Sequence, residues 1–470
     1  LETGKAQKLY HEVVEPLREE KGITDAHNHL SARQIVENEN FPDIFTAMIL
    51  DTNVKWPNRD HYITQQAAKK GVPYSYLIDV GVSNYDKWKA VSNVFPQLAG
   101  NQVYTWAHLE LKNVLGINKL LSGETADEIW QEANEILSSD AMKPQAVLKS
   151  MNTKVLGTTD DPLDDLEYHK LAKDGIPGIK IFPTFRPDKS MNIFAPGWKS
   201  YAALLCEKTG KLPALEGLLY ALEDRHDYFA EYGCRASDHG LKQPYGLDVA
   251  YSRANEIFKK VFEKNESPSP EEVRDFISFM MHRFCEMNKE KGWVTQIHFG
   301  AVRDVNPYLF SIGGPDCGGD MSTNMIEIVE NLTPLLGKYC TGADGEKDLK
   351  TVLYCIDPTH YPTIATLCRT FPSVRWGVPW WFNDTTSGME DHLNYMMQSE
   401  SYSNCAGMVC DGRKILSIAP RHELFARSVC NVIGGLAEKG LLPEELLPEI
   451  IEGLCYNNQV SLFGFKKRLL

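Results

Sequence analysis

The sequence predicts an α/β chain: a (β/α)8 barrel of the TIM type with a large helical insertion after its first strand. Eight short apolar runs recur along the 470 residues, each ending in polar residues. Stretches with helical periodicity separate them. No internal repeat, low-complexity tract or Ser/Gly linker divides the chain, and its 43% hydrophobic and 24% charged content is that of a folded globular protein.

The first run, TDAHNHL (24–30), reads as a strand in which Asp25, His27 and His29 share a face, because alternate side chains point the same way. Two imidazoles on one face suit a divalent metal, with a nearby carboxylate to orient them, although an isolated H-x-H pair also occurs without metal. Helical patterns follow around 60–70, 84–96 and 125–138. They define an inserted helical lobe at 31–150, between an N-terminal helix and first strand (1–30) and the remainder of the barrel (151–470). Thr125-Ala-Asp-Glu128 has the S/T-x-x-E form of a capping box, in which side chain and backbone satisfy each other's donors. The next runs are VLGTTDDP (155–162) and IKIFPTFRP (179–187), then a helical excursion from 188 to 230, then GCRASDHG (233–240). Ser269-Pro-Glu-Glu272 is a second capping box, with Pro270 at the first helical position. WVTQIHFGA (293–301), TVLYCIDP (351–358), VRWGVPWWFND (374–384) and CAGMVCDGR (405–413) complete the eight. Their lengths and β-branched or aromatic content suit buried parallel strands, and eight strands alternating with helices favour a closed barrel over an open sheet.

Active sites in such barrels lie at the C-terminal ends of the strands. The polar residues there would converge: His27 and His29, Thr158 with Asp160, Arg186, Asp238, His298, Asp357, Trp380 with Asn383, and Asp411 with Arg413. His27, His29, His298 and Asp411 make a ligand set for one divalent ion, zinc being the best match. Arg186, extended before Pro187, suits a carboxylate, and Arg413 lies two residues from Asp411 and faces the same way. Trp380 and Trp381 are expected on opposite faces, one packing and one lining a pocket. Each residue also has a plainer reading: His298 as a core histidine, Asp411 as a turn aspartate, Arg186 as a surface partner of Asp188, both tryptophans as packing. Asp60-His61-Tyr62 and Trp106-Ala-His108-Leu-Glu110 combine titratable and aromatic groups in the lobe, but their chemistry alone does not assign them to a site.

The net charge of -14 argues against nucleic acid or an anionic membrane as partner, and a small anion would need locally concentrated Arg or Lys. No apolar run approaches the roughly 18–20 residues that cross a bilayer. The opening LETGKAQKLYHEVVEPLREEKG is polar and holds no apolar leader. Eleven cysteines, scattered singly without C-x-x-C, read as reduced thiols of a cytoplasmic protein. No G-x-S-x-G elbow, P-loop or G-x-G-x-x-G follows a strand. GGPDCGGD at 313–320 lacks the Lys and Ser/Thr of a phosphate cradle and reads as a flexible loop.

Taken in order and spacing, DAHNHLS, WAHLEL, VLGTTDDP, FRPDK, GCRASDHG, QIHFGAVRD, GPDCGGD, PWWFND, RHELFARSVCN (421–431) and LCYNN (454–458) resemble the uronate isomerases of the amidohydrolase superfamily, over nearly the whole chain. The resemblance implies a metal-bearing barrel that interconverts D-glucuronate with D-fructuronate and D-galacturonate with D-tagaturonate. The substrate is then a small anionic sugar acid, and a homo-oligomer is compatible with the family. The resemblance carries His27 and His29 to the strand-1 metal ligands, Asp411 to the strand-8 aspartate, and His298 to a ligand or close neighbour of the metal. His61 and Tyr62 match the family's D-H-Y, Arg186 its R-P-D, Trp380 its W-W-F-N-D and Arg413 its D-x-R, as substrate-binding residues. The implied chemistry is proton transfer through an enediol, with Asp411, Tyr62, His61 and His298 as the catalytic groups. Ile63-Thr64-Gln65 stand where K-W-R is common, DTNVKWPNR before them looks longer than usual, Gly412 replaces a common serine and KILSIAP after Arg413 differs. The preferred uronate, the native metal and the oligomeric state therefore stay open. A mononuclear metal-dependent hydrolase of the same superfamily is the rival reading. It is disfavoured because Asp238 and His239, not a second-metal lysine, end strand 4. A non-catalytic barrel would have lost ligands that are present here.

Overall fold

The computed structural model describes residues 1–51, 58–315, 317 and 319–465. Residues 52–57 of the DTNVKWPNR stretch, and Asp316 and Gly318 of the glycine-rich GGPDCGGD segment, lie outside the described residues. Seven of the eight expected runs contain a strand: β1 (Ile23–Asp25), β2 (Thr153–Gly157), β3 (Lys180–Phe182), β4 (Ala236–Leu241), β5 (Val294–Phe299), β6 (Lys350–Cys355) and β7 (Val374–Trp376). All their pairings are parallel. β5 is buried at every position, as expected of a parallel strand covered on both faces.

The regular ladders form two sheets, β1-β2-β3 and β7-β6-β5-β4, rather than one closed sheet. Single contacts join them. Phe185, beyond β3, bridges Asp160 on one side and Ser237 on the other. Its N–H donates to the Ala236 carbonyl and its carbonyl accepts the Asp238 N–H, both at 3.0 Å. Across the other gap, Trp376 bridges Cys405, and the Ala406 N–H reaches the Trp376 carbonyl at 2.9 Å. The segment that continues from Cys405 then meets the extension of β1: Asp411 N–H donates to His27 O at 3.2 Å and His29 N–H to Gly412 O at 2.9 Å.

Three sequence expectations are corrected. CAGMVCDGR is not a strand. Gly407 and Asp411 take positive φ of 87° and 47°, which breaks an extended run, and the Gln459 side-chain amide takes the Met408 carbonyl that a ladder would use. β1 ends at Asp25, so His27 and His29 stand on the irregular backbone beyond it. The Thr125 capping box does not form; the Thr125 hydroxyl instead donates to the Leu120 carbonyl at 2.5 Å. The Ser269 box does form: Ser269 Oγ accepts the Glu272 N–H at 3.2 Å, and the Glu272 carboxylate accepts the Ser269 N–H at 2.7 Å. It starts the helix Pro270–Lys291, which Gly292 ends at φ 66°.

The helical patterns of the inserted segment correspond to His61–Lys69, Asn84–Val94 and Ala126–Leu137. The excursion between β3 and β4 holds Trp198–Lys208 and Leu215–Glu231. No helix among the described residues is long and apolar enough to cross a membrane, and none of the eleven cysteines forms a disulfide among the described residues.

One close approach places the histidine segment. A Cβ on Gly157 would sit 2.3 Å from the Ala26 carbonyl oxygen, and the Asn28 N–H donates to the Gly157 carbonyl at 2.8 Å. Only a residue without a side chain lets β2 lie this near to residues 26–28. Gly157→Ala is therefore expected to lower unfolding stability by about 1–3 kcal/mol. Urea titration measures the loss, and an unchanged midpoint would show that this approach does not hold the segment.

Candidate active site

The last turn of the ring and the extension of the first strand meet at Asp411. Its Oδ1 lies 3.0 Å from His29 Nε2 and 3.4 Å from His27 Nε2. The backbone at Asp411 is left-handed, a conformation that aspartate tolerates better than most residues. The two backbone hydrogen bonds to His27 and His29 hold it there. Burial by itself would raise the Asp411 carboxyl, but hydrogen bonds from the two imidazoles outweigh it and hold the group well below the usual carboxylate range. Burial brings His29 down to about 4, which keeps that ring neutral near pH 7. A neutral imidazole is the form that binds metal.

Asp25 does not orient these rings from the shared face. Once β1 ends, the chain turns, and the fully buried Asp25 carboxylate accepts the His27 N–H at 3.2 Å and the Cys410 N–H at 3.1 Å. His422 Nε2 lies 2.8 Å from the same carboxylate. Asp25 thus pins the backbones of both segments.

A second cluster faces the first. On β4, Asp238 points into the site, while Ser237 and His239 turn to the other face and meet each other at 2.8 Å. Asp238 Oδ1 lies 2.8 Å from His298 Nδ1, and Oδ2 lies 3.2 Å from Arg186 Nη1. Arg186 Nε also approaches Asp188, at 3.5 Å. Burial pushes the Asp238 carboxyl up, but His27, Arg186 and His298 outweigh burial and hold it well below the usual range. His298 stacks on Tyr354 with ring centroids 4.2 Å apart, and its Nε2 is buried without a hydrogen-bond partner among the described residues.

Between the clusters is a cavity of about 250 Å³. Of the residues expected at a site, His27, His29, Arg186, His298, Trp380, Asp411 and Arg413 line it. Asp160 and Asp238, named as strand ends, line it too, whereas Thr158, Asp357 and Asn383 do not. Asp357 caps the turn Pro358–His360, and Asn383 reaches the Ile356 carbonyl. Both tryptophans line the cavity, against the expected alternation, because Trp381 takes a φ of 53° and starts a tight helical turn.

His61 and Tyr62 stand beside the cavity and do not line it. Their rings stack at 4.3 Å, and His61 lies 6.2 Å from Trp381. His61 borders a separate space of about 10 Å³ next to Tyr74 and Cys317. Burial first, and then the charge of Asp411, pushes the Tyr62 hydroxyl well above its usual value. His108 is committed to the lobe: Nδ1 meets the Tyr104 carbonyl at 2.7 Å and Nε2 accepts the Leu121 N–H at 2.9 Å.

Asp238 was expected among the converging strand ends, a signal with no role assigned to it, and Arg303 was missed as a site residue. Arg303 carried no signal by spacing; its guanidinium lies 4.4 Å from the centroid of the Trp381 ring.

The donor set fits a metal. His27, His29 and Asp411 each present a ligand atom within 4.8 Å of the others, and a second such group joins His27, Asp238 and His298. Asp238 already holds His298 and Arg186, whereas the Asp411 carboxylate has only the two imidazoles as ion-pair partners among the described residues. The first group is the better cation seat.

Comparison with known proteins agrees with this architecture. A family model described as glucuronate isomerase matches residues 1–463. A uronate isomerase of Thermotoga neapolitana is 43% identical over 442 residues, covering 94% of each chain. One from Phocaeicola vulgatus is 34% identical over 476 residues, covering 99% of this chain and 98% of that one. The crystal structure of uronate isomerase from Thermotoga maritima superposes with a TM-score of 0.90 at 41% identity, covering 98% of this chain and 97% of that one. On the strength of a match that runs from the first residue through the final helices, this chain belongs to the glucuronate isomerase family.

Proposed function

We propose that the chain is a uronate isomerase working in the cavity between Asp411 and Asp238, interconverting D-glucuronate with D-fructuronate and D-galacturonate with D-tagaturonate. One observation supports the reading above the others. A carboxylate between two imidazoles opens onto the same cavity as three arginines, Arg186, Arg303 and Arg413. A proton-transfer group and an anion-binding wall thus lie in one small space.

Aldose–ketose isomerisation removes a proton from C2 of the open-chain aldehyde, passes through an enediol and returns a proton to C1. The barrier lies in placing a base at the carbon acid and stabilising the developing oxyanion. His27, His29 and Asp411 would hold one divalent ion, with zinc the expected one, and when bound it would polarise the substrate's C1 and C2 oxygens. Asp411 moves the proton between C2 and C1. His298 groups with Asp238 rather than with Asp411, so we assign it to a substrate oxygen as the metal's neighbour. Tyr62 and His61, in the lobe at 31–150, are assigned to hydroxyl protons on that side of the site, although they stand beside the cavity and not on its lining. Arg186 and Arg413 grip the C6 carboxylate, and Trp380 walls the sugar from water. The eleven free thiols support a reducing compartment, the cytoplasm.

An NMR assay of both uronates in deuterated water tests the reading. Turnover with deuterium entering at C1 of the ketose is expected, with complete loss after chelation and recovery on adding a divalent ion. Undiminished turnover in the chelated protein would overturn the metal's part in it. Asp238→Asn is expected to slow turnover by roughly 10–100-fold, because it weakens the hold on His298 and on one side of Arg186, while metal content stays at the wild-type level. Loss of the metal in that variant would instead make Asp238 and His298 its seat.

A further inference from the structure

Behind the cavity, beyond Arg413, a lysine is buried in a place that the isomerisation does not use. Lys414 is 2% exposed. Its Nζ has one ion-pair partner among the described residues, Asp60, whose Oδ2 lies at 3.5 Å. Asp60 caps the helix His61–Lys69, its Oδ1 accepting the Ile63 N–H at 3.0 Å. The residue that starts the segment bearing His61 and Tyr62 therefore faces the loop bearing Asp411 and Arg413 across a buried ion contact in which Nζ makes no hydrogen bond among the described residues. The loop side is itself secured, since the Lys414 carbonyl accepts the Ser417 hydroxyl at 2.8 Å.

Two more buried charges, Glu110 and Arg421, act electrostatically on Lys414. Glu110, also buried, stands where the helix Gln102–Leu109 widens into Glu110–Val114, and its charge acts on Lys414. Arg421, from the helix Ile418–Glu438, lies 3.8 Å from the centroid of the Trp106 ring and 3.1 Å from Asp384. Burial lowers the Lys414 ammonium, with Asp60 opposing, and burial raises Glu110 to about 7.

A buried ion pair is a poor source of stability, because removing two charges from water cancels most of their attraction. Its geometry, however, is demanding. We propose that Lys414 is a positioning residue: seated on Asp60, it sets the spacing between the loop that carries Asp411 and Arg413 and the helix end that carries His61 and Tyr62. This rests on the reading of function above, since the spacing matters only if both groups serve one substrate.

Removing one charge leaves the other buried and alone, so Lys414→Met by itself is expected to lose stability. The decisive variant is the double one, Lys414→Met with Asp60→Asn, in which no charge is stranded and asparagine still caps the helix. Holoenzyme carrying both changes is expected to recover the wild-type melting midpoint and metal content, yet to turn over D-glucuronate roughly tenfold more slowly or worse, chiefly in kcat. A double variant that matches wild type in kcat as well as in midpoint would make the pair merely structural and overturn the proposal. If wild-type protein turns over neither uronate, the reading of function fails by itself. The visible spectrum of the cobalt-loaded protein then decides the spacing role: a band shift in the double variant supports it, and an identical spectrum overturns it.

Discussion

The carboxylate of Asp411, 3.0 Å from one imidazole and 3.4 Å from another, joins the segment 405–413 to the extension of β1. Neither partner sits on regular secondary structure. β1 stops two residues before His27, and the segment holding Asp411 never becomes a strand. What fixes them is a set of hydrogen bonds that only the folded ring supplies: Asp411 to His27, His29 to Gly412, Asn28 to Gly157, and Asp25 to the backbone of Cys410. The segments that carry the proposed metal donors are thereby held close to one another by backbone.

The electrostatics follow from distance. A chain of charge -14 repels anions at long range, but that field is screened beyond about 8–10 Å. A guanidinium about 4 Å from a carboxylate, at an effective dielectric of about 20, is worth about 4 kcal/mol. The cavity of about 250 Å³ sets Arg186, Lys189, Arg303 and Arg413 among five aspartates, so local pairing and not net charge decides where an anion can sit. Asp238 then sets the direction of the field. It takes part of the charge of Arg186 and fixes the ring orientation of His298, so the wall opposite Asp411 offers an oriented set of donors.

Much of this was legible in the residues, for a physical reason. HNH and DGR place polar groups at a spacing of two after apolar runs, and strand-end convergence in an α/β ring does not depend on details of packing. Ser269-Pro-Glu-Glu272 was equally legible, since a capping box is complete within four residues. The failures depend on partners far away in sequence. Gln459 takes the Met408 carbonyl and so removes a strand that composition favours. Thr125 turns back to Leu120 and leaves its box unmade. Trp381 faces the cavity beside Trp380 because of one left-handed residue, which no alternation rule anticipates. The placement of His61 and Tyr62 rests on how the inserted helices dock through Asp60, Lys414 and Arg421, and periodicity carries no trace of that docking.

The central claim, that Asp411 and the two histidines of the first strand's extension form the metal seat, is tested most directly by anomalous diffraction from crystals of metal-loaded protein. One peak per chain is predicted, bonded to His27, His29 and Asp411, with Asp238 still holding His298 and Arg186. A peak seated on Asp238 and His298 without Asp411, or crystals that take up no metal at all, would contradict the account.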